Sequence, residues 1–225
     1  MRHLCIAIDG PAGAGKSTVA KEVSRKLGLL YVDTGAMYRA LAWLALKYGV
    51  DVENEQAVKE LMAQHQLKFE RSHYGVLDIV IDGQSLYGKL RSPEVSGVVS
   101  QISTHALIRA ELTKVQRHFG ERYSVVMDGR DVGTVVLPNA DVKIFLTASI
   151  EERARRRRDE LTRKGHNVTM QELFQTIGER DRRDSSRETA PLKQADDSYL
   201  VDSTGKDVSQ VVDEILQIVE RVIHE

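Results

Sequence analysis

The residues Gly10-Pro11-Ala12-Gly13-Ala14-Gly15-Lys16-Ser17-Thr18 fit the spacing G-x-x-x-x-G-K-[ST]. Each type has a physical job in gripping a polyphosphate. Gly10, Gly13 and Gly15 allow backbone conformations closed to other residues, so that N–H groups converge on phosphate oxygens at the positive end of the following helix. Lys16 supplies a point charge for the β- and γ-phosphates, and Ser17 a hydroxyl for Mg²⁺. The expected ligand is a nucleoside triphosphate bound with Mg²⁺.

Three further segments carry candidate chemistry. In Asp33-Thr34-Gly35-Ala36-Met37-Tyr38-Arg39, Thr34 is expected to cap a helix and Arg39 to point a planar cation toward the same mouth. In Met127-Asp128-Gly129-Arg130-Asp131-Val132-Gly133, an apolar run closes on Asp128, a Walker-B-type position suited to holding Mg²⁺ through water. Arg130 and Asp131 then emerge at the same edge. In Glu151–Lys164, Arg153, Arg156 and Arg157 share one helical face and could close over a polyphosphate, while Gly178–Arg187 places Arg180, Asp184 and Arg187 at i, i+4 and i+7. Each has a plainer alternative: a simple helix cap, an Asp-Gly turn, a solvated charged helix, an internal ion-pair ladder.

The elements that position these residues follow from periodicity. Leu4–Ile8 is an unbroken apolar run, as in a strand buried on both faces, and Gly28 stands where a left-handed cap would end the next helix. Further parallel strands are expected at Leu29–Asp33, Tyr123–Asp128, Val142–Thr147 and Tyr199–Asp202, alternating with helices and closed by one from Val208. That rhythm predicts an α/β fold with helices on both faces of a parallel sheet. Leu67–Glu70 and the alternating Leu77–Ile81, followed by an Asp82-Gly83 turn, predict a small, partly antiparallel insertion.

A chain of 225 residues is long enough for one such domain with an insertion, and the formal net charge of −1 argues against a general nucleic-acid coat. The single cysteine, Cys5, excludes an intrachain disulfide. The N-terminal apolar run is too short for a signal-peptide core and no stretch reaches membrane-span length, so a cytoplasmic protein without a membrane partner is expected.

Taken together, GPAGAGKST, DTGAMYR, the long insertion, DGRDVGTVV with the P-x-A-x-x-K-I-F-L strand after it, ERD-x-x-D-x-x-R and the late DST run resemble bacterial cytidylate kinases, nucleoside monophosphate kinases, over nearly the whole chain. The resemblance implies transfer of the γ-phosphoryl of ATP to CMP or dCMP on a P-loop, adenylate-kinase-like fold with a five-stranded parallel sheet. It implies a core of residues 1–61, 99–152 and 171–225, a monophosphate-binding insertion at about 62–98 and a lid at about 153–170. The enzyme is expected to be a monomer. By position, the resemblance assigns Ser100, Arg109 and Asp131 to cytosine, with Thr34 close to the acceptor. Arg39 and Arg130 would hold its phosphate, and Arg180, Asp184 and Arg187 the ribose and neighbouring groups. Lys16, Arg130, Arg153 and Arg157 would serve catalysis. Thr34 stands where serine is also familiar, and both offer a hydroxyl.

The base assignment has its own chemical logic. Cytosine presents an amine beside ring acceptors, complementary to a carboxylate and a guanidinium, whereas uracil would turn an acceptor toward Asp131. The rivals are another P-loop small-molecule kinase, for example a uridylate-specific one, and a nucleic-acid-binding module built on Arg153–Arg158. A regulatory GTPase is disfavoured because the sequence has no Asn-Lys-x-Asp motif.

Overall fold

The computed structural model describes residues 3–71, 76–163 and 165–224. Residues 72–75 of the expected insertion, Lys164 of the expected lid, and the terminal Met1, Arg2 and Glu225 lie outside the described residues.

The chain begins with β1 (Cys5–Asp9), α1 (Lys16–Leu27), β2 (Leu30–Asp33), α2 (Thr34–Tyr48) and α3 (Glu55–Gln64). The short strands β3 (Leu67–Arg71), β4 (Leu77–Ile81) and β5 (Gln84–Ser85) follow, then α4 (Pro93–Ile102) and α5 (Ala106–Arg122). The remainder is β6 (Val125–Gly129), a π-type turn at Val132–Val136, β7 (Val142–Thr147), α6 (Ile150–Arg163), α7 (Met170–Ser185), β8 (Tyr199–Asp202) and α8 (Val208–His224).

The five long-range strands form a parallel sheet in the order β2-β6-β1-β7-β8. Its two faces are sorted by the period of two along each strand. Ala7, Leu30, Val32, Val125 and Met127 pack with Leu41 and Leu44 of α2 and Leu112 of α5, while Ile6, Ile8, Tyr31, Val126 and Ile144 pack with Val19 and Val23 of α1 and Ile215 of α8. A smaller cluster of Ala154, Leu173 and Ile177 joins α6 to α7. The strands β3-β4-β5 make an antiparallel sheet with an Asp82-Gly83 turn, both residues at positive φ. Gly28 ends α1 at φ 67°, as expected from sequence.

Three expected strands begin later than their apolar runs suggested, β2 at Leu30 rather than Leu29 among them. Tyr123 ends α5, and the Ser124 hydroxyl accepts from Leu4 N–H at 3.0 Å, so β6 starts at Val125 and β1 at Cys5. Among the described residues no helix is long and apolar enough to cross a membrane.

Candidate active site

The chemistry gathers at the carboxyl ends of β1, β2 and β6, the edge where open α/β sheets bind ligands. Immediately after β1 the chain must turn hard. Gly10 has φ 149°, and a Cβ there would lie 1.9 Å from Leu146 O, so only glycine fits against β7. Gly13 has φ 80°, and a Cβ would press to 3.2 Å from Arg153 Cβ. Helix α1 starts at Lys16 without a side-chain cap, leaving its first N–H groups for an anion. Lys16 is buried, and its Nζ donates to Pro11 O at 2.8 Å. Burial first, then Arg130, holds its pKa well below the usual lysine range, although Asp128 opposes.

Asp33 and Asp128 are register partners on β2 and β6. Ser17 Oγ donates to Asp128 Oδ2 at 3.0 Å and Tyr31 Oη to Oδ1 at 2.8 Å. Burial, and next the Asp33 charge, push the Asp128 carboxyl up to about 6 against Lys16 and the two hydroxyl donors. Burial would also raise Asp33, but Arg39 and Arg91 together outweigh it and hold that carboxyl below its usual value. Arg39 Nη2 and Arg91 Nη2 donate to the same Asp33 oxygen, at 2.7 and 3.1 Å.

The expected Thr34 cap is corrected by one residue. Asp33, still in extended conformation, caps α2 by accepting from Ala36 N–H at 2.9 Å. Thr34 is already helical, and its Oγ1 donates to Asp128 O at 2.7 Å, pinning α2 to β6. The carboxylate wins because it already sits at the strand-to-helix junction as the stronger acceptor.

Beyond β6, Arg130 Nε donates to Asp184 Oδ2 at 2.7 Å. Arg187 Nη2 donates to Asp184 Oδ1 and, at 2.9 Å, to Ser103 Oγ. A carboxylate does lie between two guanidiniums, but they belong to Arg130 and Arg187 rather than to Arg180 and Arg187. The helix that would carry the i, i+4, i+7 spacing ends at Ser185, yet Arg187 beyond it still reaches Asp184, while Arg130 from the loop after β6 takes the other carboxylate oxygen. Arg180 is half-buried, and its Nε has no hydrogen-bond partner among the described residues. Burial and then Arg130 lower its pKa to about 10.

Arg109, 3% exposed, donates from Nη2 to Asp131 Oδ2 at 2.5 Å and from Nη1 to Ser103 O at 3.2 Å. Ser100 is buried, and its hydroxyl accepts from Arg183 Nη1. The arginines of α6 divide their work. Arg153 donates to Ala148 O, to Ala12 O and to Asp181, and Arg156 to Ser203 and Ala14 O, so both grip the glycine loop from outside. Arg157 pairs with Glu160 at 2.7 Å. Pro11, Ala12 and Ala14 are buried in the loop, and Thr18 is exposed on α1.

Sequence reasoning missed Asp9, Arg91, Asp181 and Arg183. Asp9 carried a signal, an aspartate closing an apolar strand directly before Gly10. Arg91 carried only its place before the Ser92 cap and Pro93 of α4, which says where a helix starts and not where a guanidinium reaches.

The fold and the glycine loop define the class: a P-loop, nucleotide-binding α/β protein. A family model described as Cytidylate kinase matches residues 6–221. The cytidylate kinase of Bacillus licheniformis is 50% identical over 220 residues, covering 98% of this chain and 97% of its own length. That of Geobacillus kaustophilus is 47% identical over 222 residues, covering 99% of each. Among solved structures, an uncharacterized protein from Eubacterium ventriosum matches with a TM-score of 0.54 at 13% identity, covering 97% of this chain and 99% of its own, a likeness of fold alone. The chain belongs to the cytidylate kinase family.

Proposed function

We propose that this chain moves the γ-phosphoryl of ATP to CMP or dCMP, giving ADP and CDP or dCDP. The observation that carries the reading is that one sheet edge holds both the phosphate loop with Lys16 and the buried Arg109–Asp131 pair, a donor grip and a cytosine-matched acceptor and donor. Catalysis is positioning and charge neutralisation. Lys16 leaves Pro11 O for the β- and γ-phosphates. Arg39 and Arg130 orient the acceptor phosphate, already anionic, so no strong general base is needed. Arg180 brings positive charge whose Nε is unpartnered, and Asp184 and Arg187 address the ribose. Thr34 and Ser100 complete the acceptor side.

Mg²⁺ fits the donor set, since Ser17 Oγ and the buried Asp128 carboxylate are hard oxygens 3.0 Å apart. Among the described residues there is no group of three or more His, Cys, Asp or Glu that could hold a metal ion. Ser17 and Asp128 would hold the ion, which would supply positive charge to offset that of the phosphates.

Water must be excluded until both nucleotides are bound. The lid is assigned to about 153–170 and the monophosphate-binding insertion to about 62–98, with Arg153 and Arg157 acting from the lid. The enzyme works as a cytoplasmic monomer. A nucleic-acid role for Arg153–Arg158 is disfavoured, because Arg153 and Arg156 are spent on the loop backbone and Arg155 and Arg157 on Glu152 and Glu160. Label transfer tests the proposal. With γ-labelled ATP the label is expected in CDP, and its release only as inorganic phosphate overturns the reading.

A further inference from the structure

Asp131 stands at the N-cap position of the Val132–Val136 turn, where aspartate is among the best acceptors for the first N–H groups. It makes no such bond, and its carboxylate pairs with Arg109 instead. The orphaned donors lie in the interior and still need partners. Another strand supplies them. Asp9 Oδ1 accepts from Val132 N–H at 2.8 Å, and Asp9 Oδ2 from Gly133 N–H at 2.7 Å. Asp9 is 5% exposed, and no step described above uses it.

From this division of labour we infer that Asp9 is a positioning residue for base selection, capping the 132–136 turn from β1 so that Asp131 stays paired with Arg109 and faces the acceptor base. The inference rests on the reading of Asp131 as the cytosine partner.

Asp9 suits the task mechanically. It pairs in register with Gly129 of β6 and Phe145 of β7, and Gly10 after it lies against Leu146 O, so this strand end cannot slide. The turn is pressed onto it. A Cβ on Gly133 would meet Lys143 Cγ and Cδ at 3.3 Å and Asp9 Oδ2 at 3.4 Å. It suits the task chemically too, since a carboxylate offers two acceptor oxygens to two successive N–H groups. Asparagine offers one, and turns a donor against the other N–H. With that cap weakened, the turn's own N–H groups compete with Arg109 for Asp131. Because Asp9 directly precedes Gly10, the base-reading loop is also set in register with the phosphate loop.

The test compares kcat/KM for CMP and UMP in the wild type, Asp9→Asn, Asp131→Ala and the double variant. Asp9→Asn is expected to lower the CMP:UMP ratio by about tenfold, the scale of one charge-assisted hydrogen bond. The double variant is expected to fall no lower than Asp131→Ala alone. Equal losses on both nucleotides in Asp9→Asn, with the ratio kept, overturn the inference while leaving the Asp131 reading intact. An unchanged ratio in Asp131→Ala overturns both.

Should Asp9→Asn not fold, the wild type supplies a second measurement. Burial raises the Asp9 carboxyl to about 6 against its two N–H bonds, with Asp131 raising it further and Lys16 opposing. The Lys143 side chain faces the same turn. The Val132 and Gly133 amide resonances are expected to shift together as pH passes through that value. Independent or absent shifts contradict the assignment.

Discussion

Arg109 and Asp131 form an ion pair, Nη2 to Oδ2 2.5 Å, closed off from solvent, with the guanidinium carbon 5.6 Å above the Tyr38 ring. An acceptor and a donor are thus fixed side by side by α5 and the loop after β6. Asp131→Ala is expected to lower the CMP:UMP ratio of kcat/KM by about 10–100-fold, the cost of one or two mismatched buried polar contacts. Steady-state kinetics on both nucleotides check this, and equal loss on the two would remove Asp131 from base recognition.

Asp128 makes a prediction about pH and stability. Its folded pKa, about 6, is raised above the ordinary 3.8, so the folded state holds the proton more tightly than the unfolded one. Its contribution therefore falls as pH rises from 3.8 through about 6 and stays unfavourable above that. Asp128→Asn removes the buried charge, and the Tyr31 and Ser17 hydroxyls can rotate to suit the amide. Denaturant unfolding of the nucleotide-free protein near pH 8 is expected to show a gain of about 1–3 kcal/mol, shrinking toward zero near pH 4. Turnover should fall by about 100-fold or more if Asp128 is, as proposed, the carboxylate that faces Mg²⁺.

Arg180 presents the same tension with opposite charge. Its Nε has no partner among the described residues, and after burial the Arg130 charge is the main cause of its lowered pKa. Arg180→Met should leave the empty protein as stable as the wild type or up to about 1 kcal/mol more so, the charge being partly solvated. Turnover of CMP should drop by about 10²-fold or more. A clear loss of stability with normal turnover would make Arg180 a structural residue.

What the sequence made legible divides along a physical line. Periodicity and punctuation are local, and they found β7 and β8 to the residue and the Gly28 cap. The glycine loop was legible because its backbone geometry excludes other residues. Long-range side-chain partners were not. Arg91 reaches Asp33 across 58 positions, and Asp9 holds Val132 across 123, with no sequence period linking either pair. The Gly178–Arg187 pattern gave the Asp184–Arg187 pair but not its second guanidinium, because Arg130 comes to Asp184 from another element 54 positions away.

Closure is the next expectation. Arg153 and Arg156 already tie α6 to the glycine loop, whereas Arg157 pairs with Glu160 of its own helix. Hydrogen exchange of the protein with ADP and CMP bound together should show added protection in Arg153–Gly165 and in the 62–98 segment, beyond that with either nucleotide alone. No added protection in either segment would leave the enzyme without its lid.

The most direct measurement is a coupled assay of ATP consumption against a panel of nucleoside monophosphates. Rapid turnover is predicted with CMP and dCMP and at least about tenfold lower kcat/KM with UMP, AMP and GMP. Rapid turnover with a non-cytidine acceptor and none with CMP would contradict the account.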